Sequence, residues 1–236
     1  MRRWIALGIV FLASLCVFLV ALMPAAAVVK RLPALRVGGA PVTLSRAQGL
    51  WWKGAVEVRW RDQHGQVRWQ LDWHGLTPGA QVDIDASELS ARGWLGGFYG
   101  HWRLEQWLAS VPVAVISRYV PQGSATGVVA VTLAALQFSD GAVTDARGTL
   151  DYGGGVVSWG RGGSASVPSL NGLLAMEKEG PRLTVTGPKQ QELVRADIVN
   201  KRFSVQVLRA WPELLGVSQG GNPDDVVFRM SQPVPW

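Results

Sequence analysis

The sequence predicts an all-β protein, namely an extended, curled antiparallel sheet of half-barrel or sandwich-like form behind one N-terminal transmembrane helix. Three observations predict this fold. Apolar and polar residues alternate along many short segments, which is typical of strands with one buried and one solvated face. The chain has 28 glycines and 12 tryptophans among its 236 residues, which suits turns and pleated surfaces. A long apolar run without charge follows the N-terminus.

Residues 4–23 predict the helix, because none of them is charged. An α-helix needs about 20 apolar residues to cross the hydrocarbon core of a bilayer. The apolar region of a cleaved signal peptide is shorter, which favours an uncleaved anchor. Cleavage is the alternative, because residues 25–27 are three alanines and resemble a cleavage site. The predicted organisation is a tip at residues 1–3, the anchor at 4–23, a linker at 24–41 and a β domain at 42–236.

The net charge of +6 comes from the flanks of the apolar run. A protein that binds nucleic acid carries a basic patch on its folded domain. Here the remaining chain has 18 basic and 17 acidic residues, so no nucleic-acid partner is predicted. Cations beside an apolar helix suit anionic lipid head groups instead. The flanking basic residues are Arg2, Arg3, Lys30, Arg31 and Arg36.

A tryptophan-rich hairpin is predicted in the first third of the chain. Residues 56–60 and 67–73 each alternate apolar with polar side chains, and residues 62–66 between them are typical of a turn. Side chains on a strand point alternately to its two faces. We therefore expect three rings to share the inner face of the hairpin and to lie in the core: Trp60, Trp69 and Trp73.

The rest of the chain is predicted as a meander of short strands. Alternating segments occur at residues 42–44, 82–86, 101–104, 128–133, 143–152, 156–159, 173–177, 182–186, 192–198, 202–208 and 226–230. The single cysteine, Cys16, lies in the apolar run, which leaves the β domain without a disulfide.

Three segments depart from this alternation. Residues 93–100 contain four glycines and predict a tight bend. Residues 108–119, with Pro112 at a first helical position, predict a short helix, although valine and isoleucine also suit a strand. Residues 211–215 predict one helical turn.

No catalytic, cofactor-binding or metal site is predicted. The three histidines have no second histidine or cysteine at ligand spacing. Asp83 and Asp85 share one face of a strand, whereas a glycosidase needs carboxylates that face each other across a substrate. Residues 160–165 approach a dinucleotide-binding pattern, but residues 166–169 cannot form the helix that this pattern requires. The chain is therefore predicted not to be an enzyme and to use no cofactor.

Trp51, Trp52 and Lys53 are the candidate partner-contact residues. Eight of the tryptophans fall between residues 51 and 107, and such rings serve either as a sheet core or as a docking surface. Neighbours on a strand face opposite ways, so one of Trp51 and Trp52 should be exposed. Trp52 is the likelier core member of the pair by its place in the motif described next.

Gly49, Trp52 and Gly54 lead into a strand and are followed by Trp69, Leu71 and Trp73. This order resembles the type II secretion system (general secretion pathway) protein N family. The resemblance extends over roughly residues 1–160. Its further matches are Leu95–Phe98 with Trp102 and Leu104, Gly127, Asp140-Gly141 and Gly148–Tyr152.

The resemblance implies an accessory inner-membrane component of the type II secretion system that takes part in protein export across the outer membrane. It implies a single-pass protein with a cytoplasmic N-terminus and a periplasmic domain. Its partners would be the inner membrane and other inner-membrane subunits of the secretion system. The alternative is a periplasmic lipid-binding or lipid-transfer module, in which case a lipid is a further partner and an apolar channel should run along the sheet.

Overall fold

The computed structural model describes residues 2–33, 36–37, 40–61, 63–114, 123–159, 163–217 and 220–234. Its helices are α1 Arg2–Ala21, α2 Ala25–Val29 and α3 Ala210–Leu214. Its strands are β1 Arg36–Val37, β2 Ala40–Leu50, β3 Lys53–Trp60, β4 Gln63–His74, β5 Thr77–Ala86, β6 Ser90–Phe98, β7 His101–Pro112, β8 Gly123–Ala125, β9 Val128–Ser139, β10 Ala142–Tyr152, β11 Gly155–Trp159, β12 Gly163–Val167, β13 Leu170–Glu177, β14 Gly180–Thr186, β15 Glu192–Val199, β16 Arg202–Leu208 and β17 Val226–Pro233.

The predicted antiparallel β fold is confirmed. The strands of the described residues pair antiparallel with their neighbours, and the sheet does not close. The hairpin of β3 and β4 is confirmed too, with a shorter turn than expected, because Trp60 already pairs with Gln63. The curl of the sheet stays a prediction.

The chain divides into two compact units. The first comprises residues 1–72 and 80–87, and contains α1, α2 and the pairing β1-β2-β3-β4. Helix α2 packs against β2, and its first residue, Ala25, is fully buried. The segment expected to be a linker, residues 24–41, thus carries a packed helix, β1 and the start of β2.

The second unit comprises residues 73–79 and 88–236. Its strands follow the order β6-β7-β9-β10-β13-β14-β15-β16-β17, and a small sheet of order β12-β11-β8 accompanies them. The hydrophobic core of this unit lies where the small sheet and α3 meet the main strands. Its buried members are Tyr152, Val167, Leu170, Leu193 and Ala210.

Helix α1 matches the apolar run predicted from the sequence, and its described side chains are exposed over most of its length. Examples are Trp4, Phe11 and Val17. Among the described residues, no helix meets the length and hydropathy of a membrane span.

The tight bend expected at residues 93–100 is wrong. Strand β6 continues to Phe98, and only Tyr99 and Gly100 turn the chain. The glycines are in the strand because each faces a close neighbour: Gly93 the Trp107 ring, Gly96 the Trp94 ring and Gly97 the His101 carbonyl. A Cβ atom added at Gly96 would lie 2.3 Å from the ring of Trp94, which is 1% exposed.

The helix expected at residues 108–119 is wrong over its first part. Strand β7 continues to Pro112, which pairs with Val128 at the strand end, where a proline is tolerated. The branched side chains of this segment support the strand instead. Only Val113 and Ala114 are helical, and residues 115–122 lie outside the described residues. The helical turn expected at residues 211–215 is confirmed as α3.

The prediction that three hairpin tryptophans lie in the core is wrong for Trp73, which is 65% exposed. Trp60 and Trp69 are half-buried. Alternation determines which face of β4 a ring occupies, but burial needs a second layer over that face. Leu71 is exposed as well, so the end of β4 has less cover than its beginning.

Candidate functional site

Trp51 and Trp52 form the turn between β2 and β3, and Lys53 opens β3. The expectation that the two rings face opposite sides of a strand is therefore wrong. Gly49 makes the tight entry into this turn, because its φ is +85° and an added Cβ would lie 2.6 Å from the carbonyl oxygen of Lys53. A left-handed backbone angle of this kind favours glycine.

Both indoles of this turn donate hydrogen bonds to the C-terminal end of α1. Trp51 Nε1 donates to the carbonyl oxygen of Val20 at 2.7 Å. Trp52 Nε1 donates to the carbonyl oxygen of Ala21 at 3.0 Å. The last carbonyls of a helix lack their regular partner within the helix, and an indole is a donor only, so the two groups are complementary. The Val20 carbonyl also accepts from the Met23 amide at 3.2 Å. We call these two hydrogen bonds the indole clasp.

Backbone contacts fix the chain beside the indole clasp. The amide of Trp51 donates to the carbonyl oxygen of Met23 at 3.1 Å, and Pro24 forms an isolated bridge with Leu50. The chain that leaves α1 is thereby joined to the β2–β3 turn within a few residues of the helix end. The end of α1 consequently has a defined position in the first unit.

Strand β4 supports the turn from its other side. Trp69 Nε1 donates to the carbonyl oxygen of Trp51 at 2.9 Å, and the amide of Leu71 donates to that of Trp52 at 2.7 Å. The backbone carbonyls of Trp51 and Trp52 are thus bound by β4, while the indoles of the same two residues bind α1. A third tryptophan thus has a role in the site that alternation alone does not indicate, and no local signal in the sequence marks Val20 or Ala21 as acceptors.

The relative exposure of Trp51 and Trp52 is the reverse of the expected one. Trp52, the expected core member, is 38% exposed, whereas Trp51 is half-buried. Lys53 is exposed. Neither indole lies in the core, because each is oriented by its hydrogen bond to α1. The role of the three residues in partner contact stays a prediction.

An open groove of about 680 Å³ lies next to the turn in the first unit. Lys53 and Arg68 contribute its positive charges, and Asp72 and Asp83 contribute its negative charges, with Trp69 among the other lining residues. Asp85, on the same strand as Asp83, is in an exposed ion pair with Arg68 at 3.4 Å. The groove thus combines a mostly apolar exposed lining with charged groups of both signs.

The histidines take ordinary structural contacts. His74 stacks on Trp94 with ring centroids 4.3 Å apart, and its Nδ1 lies 3.0 Å from a Glu105 carboxylate oxygen. His101 Nδ1 lies 2.9 Å from the hydroxyl of Ser139. Asp140 accepts from this same hydroxyl rather than from the imidazole, so the three groups lack the order of a catalytic triad.

The described residues offer few candidates for metal binding or proton transfer. No group of three or more histidine, cysteine, aspartate or glutamate side chains there could hold a metal ion. Burial raises the pKa of the Tyr152 phenol, whose hydroxyl donates to the carbonyl oxygen of Thr126 at 2.7 Å. The hydrogen bond with Glu192 raises the pKa of the Arg195 guanidinium. Both groups are in structural contacts.

Comparison with known proteins gives one match. The family described as type II secretion system (T2SS), protein N, matches residues 40–207. No curated protein and no solved structure shows a significant match to the chain. Since the match covers more than half of the 236 residues, the chain belongs to the type II secretion system protein N family.

Proposed function

We propose that this member of the type II secretion system protein N family is an accessory inner-membrane component that supports protein export across the outer membrane. Family membership supports the role in secretion. In this proposal α1 is the single membrane anchor, the β domain at residues 42–236 is periplasmic, and the chain acts by binding other inner-membrane subunits. It uses no cofactor and carries out no catalysis.

The indole clasp is the observation that carries the proposal. Helix α1 exposes apolar side chains along its described length, and a protein surface of this kind needs a lipid or protein cover. At its C-terminal end the helix carbonyls are bound by Trp51 and Trp52. Tryptophan is favoured at the boundary between hydrocarbon and water, where its ring is apolar and its N–H finds an acceptor.

The contact surface of the proposal is the β2–β3 turn with its groove. Trp52 and Lys53 are exposed there, beside the charged groups of Arg68, Asp72 and Asp83. A short connection to α1 would keep this surface close to the membrane, where it meets other membrane subunits at high local concentration. Charged side chains of both signs line the groove, which supports a protein partner over the continuous apolar channel that the lipid-transfer alternative requires.

Extraction and co-purification test the proposal. The chain should stay in the membrane after alkaline carbonate washing, and other inner-membrane subunits should co-purify with it in mild detergent. Lys53→Glu, at an exposed position, should weaken this co-purification and reduce secretion. Lys189→Glu, on the exposed β14–β15 turn, is the matched control and should do neither. Equal co-purification of both variants would exclude the turn as the contact surface.

A further inference from the structure

One end of the second unit carries apolar side chains where turns are ordinarily polar. The Leu76 side chain in the β4–β5 turn is 96% exposed. In and beside the β6–β7 turn, Phe98 is 63%, Tyr99 is 85% and Trp102 is 52% exposed. Polar and small residues dominate turns in water. We call these four residues, Leu76, Phe98, Tyr99 and Trp102, the aromatic rim.

Pairing within the second unit brings these turns to the same end. An added Cβ at Gly96 would lie 2.7 Å from the carbonyl oxygen of Pro78, so the chain after Leu76 runs beside the last part of β6. His101 at the start of β7 pairs with Ser139 at the end of β9. The amide of Asp140 donates to the carbonyl oxygen of Gly100, which joins the β6–β7 and β9–β10 turns directly.

Basic residues lie at the same end of the second unit. Gly141, Lys178, Glu179 and Lys201 line one depression of about 260 Å³, so the β9–β10, β13–β14 and β15–β16 turns lie together. Lys178 and Lys201 are exposed, and neither is in an ion pair within the described residues. With Arg202 they give three cations against Asp140, Glu177 and Glu179, of which Glu177 is in an ion pair with Arg182.

The other end of the unit lacks this chemistry at its β14–β15 turn. Residues 187–191 there read Gly-Pro-Lys-Gln-Gln, without a large apolar side chain. This contrast shows that large apolar side chains are absent from at least one turn of the unit. A solvated tip would be as polar as residues 187–191.

We propose that the aromatic rim is a membrane-interface site, which takes the head-group region of an anionic bilayer. Tryptophan and tyrosine are the residues favoured at this depth, phenylalanine and leucine enter the acyl boundary, and lysines attract anionic lipids. The contacts are turn tips and the strand ends beside them, so the rim penetrates a few side chains deep while the rest of each strand stays in water. The proposed membrane anchor underlies this inference, since it supplies the nearby bilayer.

A fluorescent reporter on the full chain tests the proposal. With Cys16→Ser as background, Leu76→Cys carries an environment-sensitive label in vesicles that contain anionic and quencher-bearing lipids. The emission should shift to the blue and be quenched by the lipid. The same label on Lys189→Cys is the matched control and should stay unquenched. Replacing Phe98 and Tyr99 by serine should abolish the quenching at position 76 with little change in melting temperature, because both side chains are exposed.

The outcomes separate the rim from the anchor. If carbonate removes the chain from vesicles but the label at position 76 is still quenched, the anchor fails and the rim stands. If the chain resists carbonate but the label at position 76 is no more quenched than at position 189, the rim fails alone. Protection of position 76 from aqueous reagents in native membranes, without quenching in vesicles, would assign the rim to a protein subunit and overturn the proposal.

Discussion

The Trp51 indole nitrogen lies 2.7 Å from the carbonyl oxygen of Val20, although 31 residues separate the two in the chain. Trp52 repeats the relationship with Ala21 at the same separation. Two adjacent turn residues thus bind two adjacent carbonyls at one helix end. The pair joins the C-terminal end of α1 to the β2–β3 turn within the first unit.

Trp51→Phe and Trp52→Phe should each destabilise the chain modestly. Phenylalanine keeps a large ring but lacks the N–H, so each variant loses one indole hydrogen bond to α1. The Val20 carbonyl still accepts from the Met23 amide at 3.2 Å when Trp51 is replaced. We expect about 0.5–1.5 kcal/mol of unfolding free energy to be lost for each change. Unfolding of the full chain in detergent, followed by tryptophan fluorescence, measures the difference.

Trp102→Phe is the matched control for these variants, because that ring is 52% exposed and donates no hydrogen bond within the described residues. It should change the unfolding free energy by less than about 0.5 kcal/mol. If all three variants lose equal stability, the effect belongs to the ring and the clasp contributes nothing.

Period-2 alternation predicts most strands of this chain because it is a local property. Residues 202–208 alternate, and β16 has the same bounds. Whether an alternating face is covered depends on other elements, which is why Trp73 was expected in the core and is exposed. The indole clasp could not be predicted from alternation for the same reason, since its acceptors belong to a helix 31 residues away.

Gly96→Ala should destabilise the second unit, because the added methyl group would lie 2.3 Å from the buried Trp94 ring. Overpacking of this kind costs about 1–3 kcal/mol. Gly153→Ala is the matched control, since no atom lies within 4 Å of its added Cβ. Thermal unfolding of both variants measures the difference. Equal melting temperatures would show that the ring moves aside at no cost.

Glycine-rich segments illustrate why sequence reasoning misplaced one turn. Four glycines at residues 93–100 indicate a bend when only backbone freedom is considered. In the structure Gly96 instead stands where the Trp94 ring closes over the strand. The sequence contains both residues, but it does not show that the ring folds back over its own strand.

Tyr152→Phe should reduce stability at neutral pH and matter less in alkali. The variant loses the hydrogen bond to Thr126, worth about 0.5–1.5 kcal/mol. Burial raises the pKa of Tyr152 in the folded state. The unfolded chain therefore loses this proton first, at a pKa of about 10, and the stabilising contribution of Tyr152 falls as the pH rises through the folded-state value.

Urea unfolding of the wild type and of Tyr152→Phe, between neutral pH and mild alkali, measures this gap in unfolding free energy. It should be constant below pH about 9 and should narrow above pH about 10. Tyr99→Phe, at a side chain that is 85% exposed, is the control for the loss of a hydroxyl. A gap that keeps its size at alkaline pH would contradict the role of burial.

The mature chain should keep α1, because the residues around the alternative cleavage site are folded. Ala25 is fully buried and residues 25–29 form α2, whereas a signal peptidase needs an extended and accessible chain. Cleavage there would also separate Val20, Ala21 and Met23 from their partners in the β2–β3 turn. Intact-mass measurement of the membrane-extracted protein should give 25.5 kDa. A mass that lacks the first 27 or so residues would show that the chain is processed before α2 packs, and that the indole clasp exists only in the precursor.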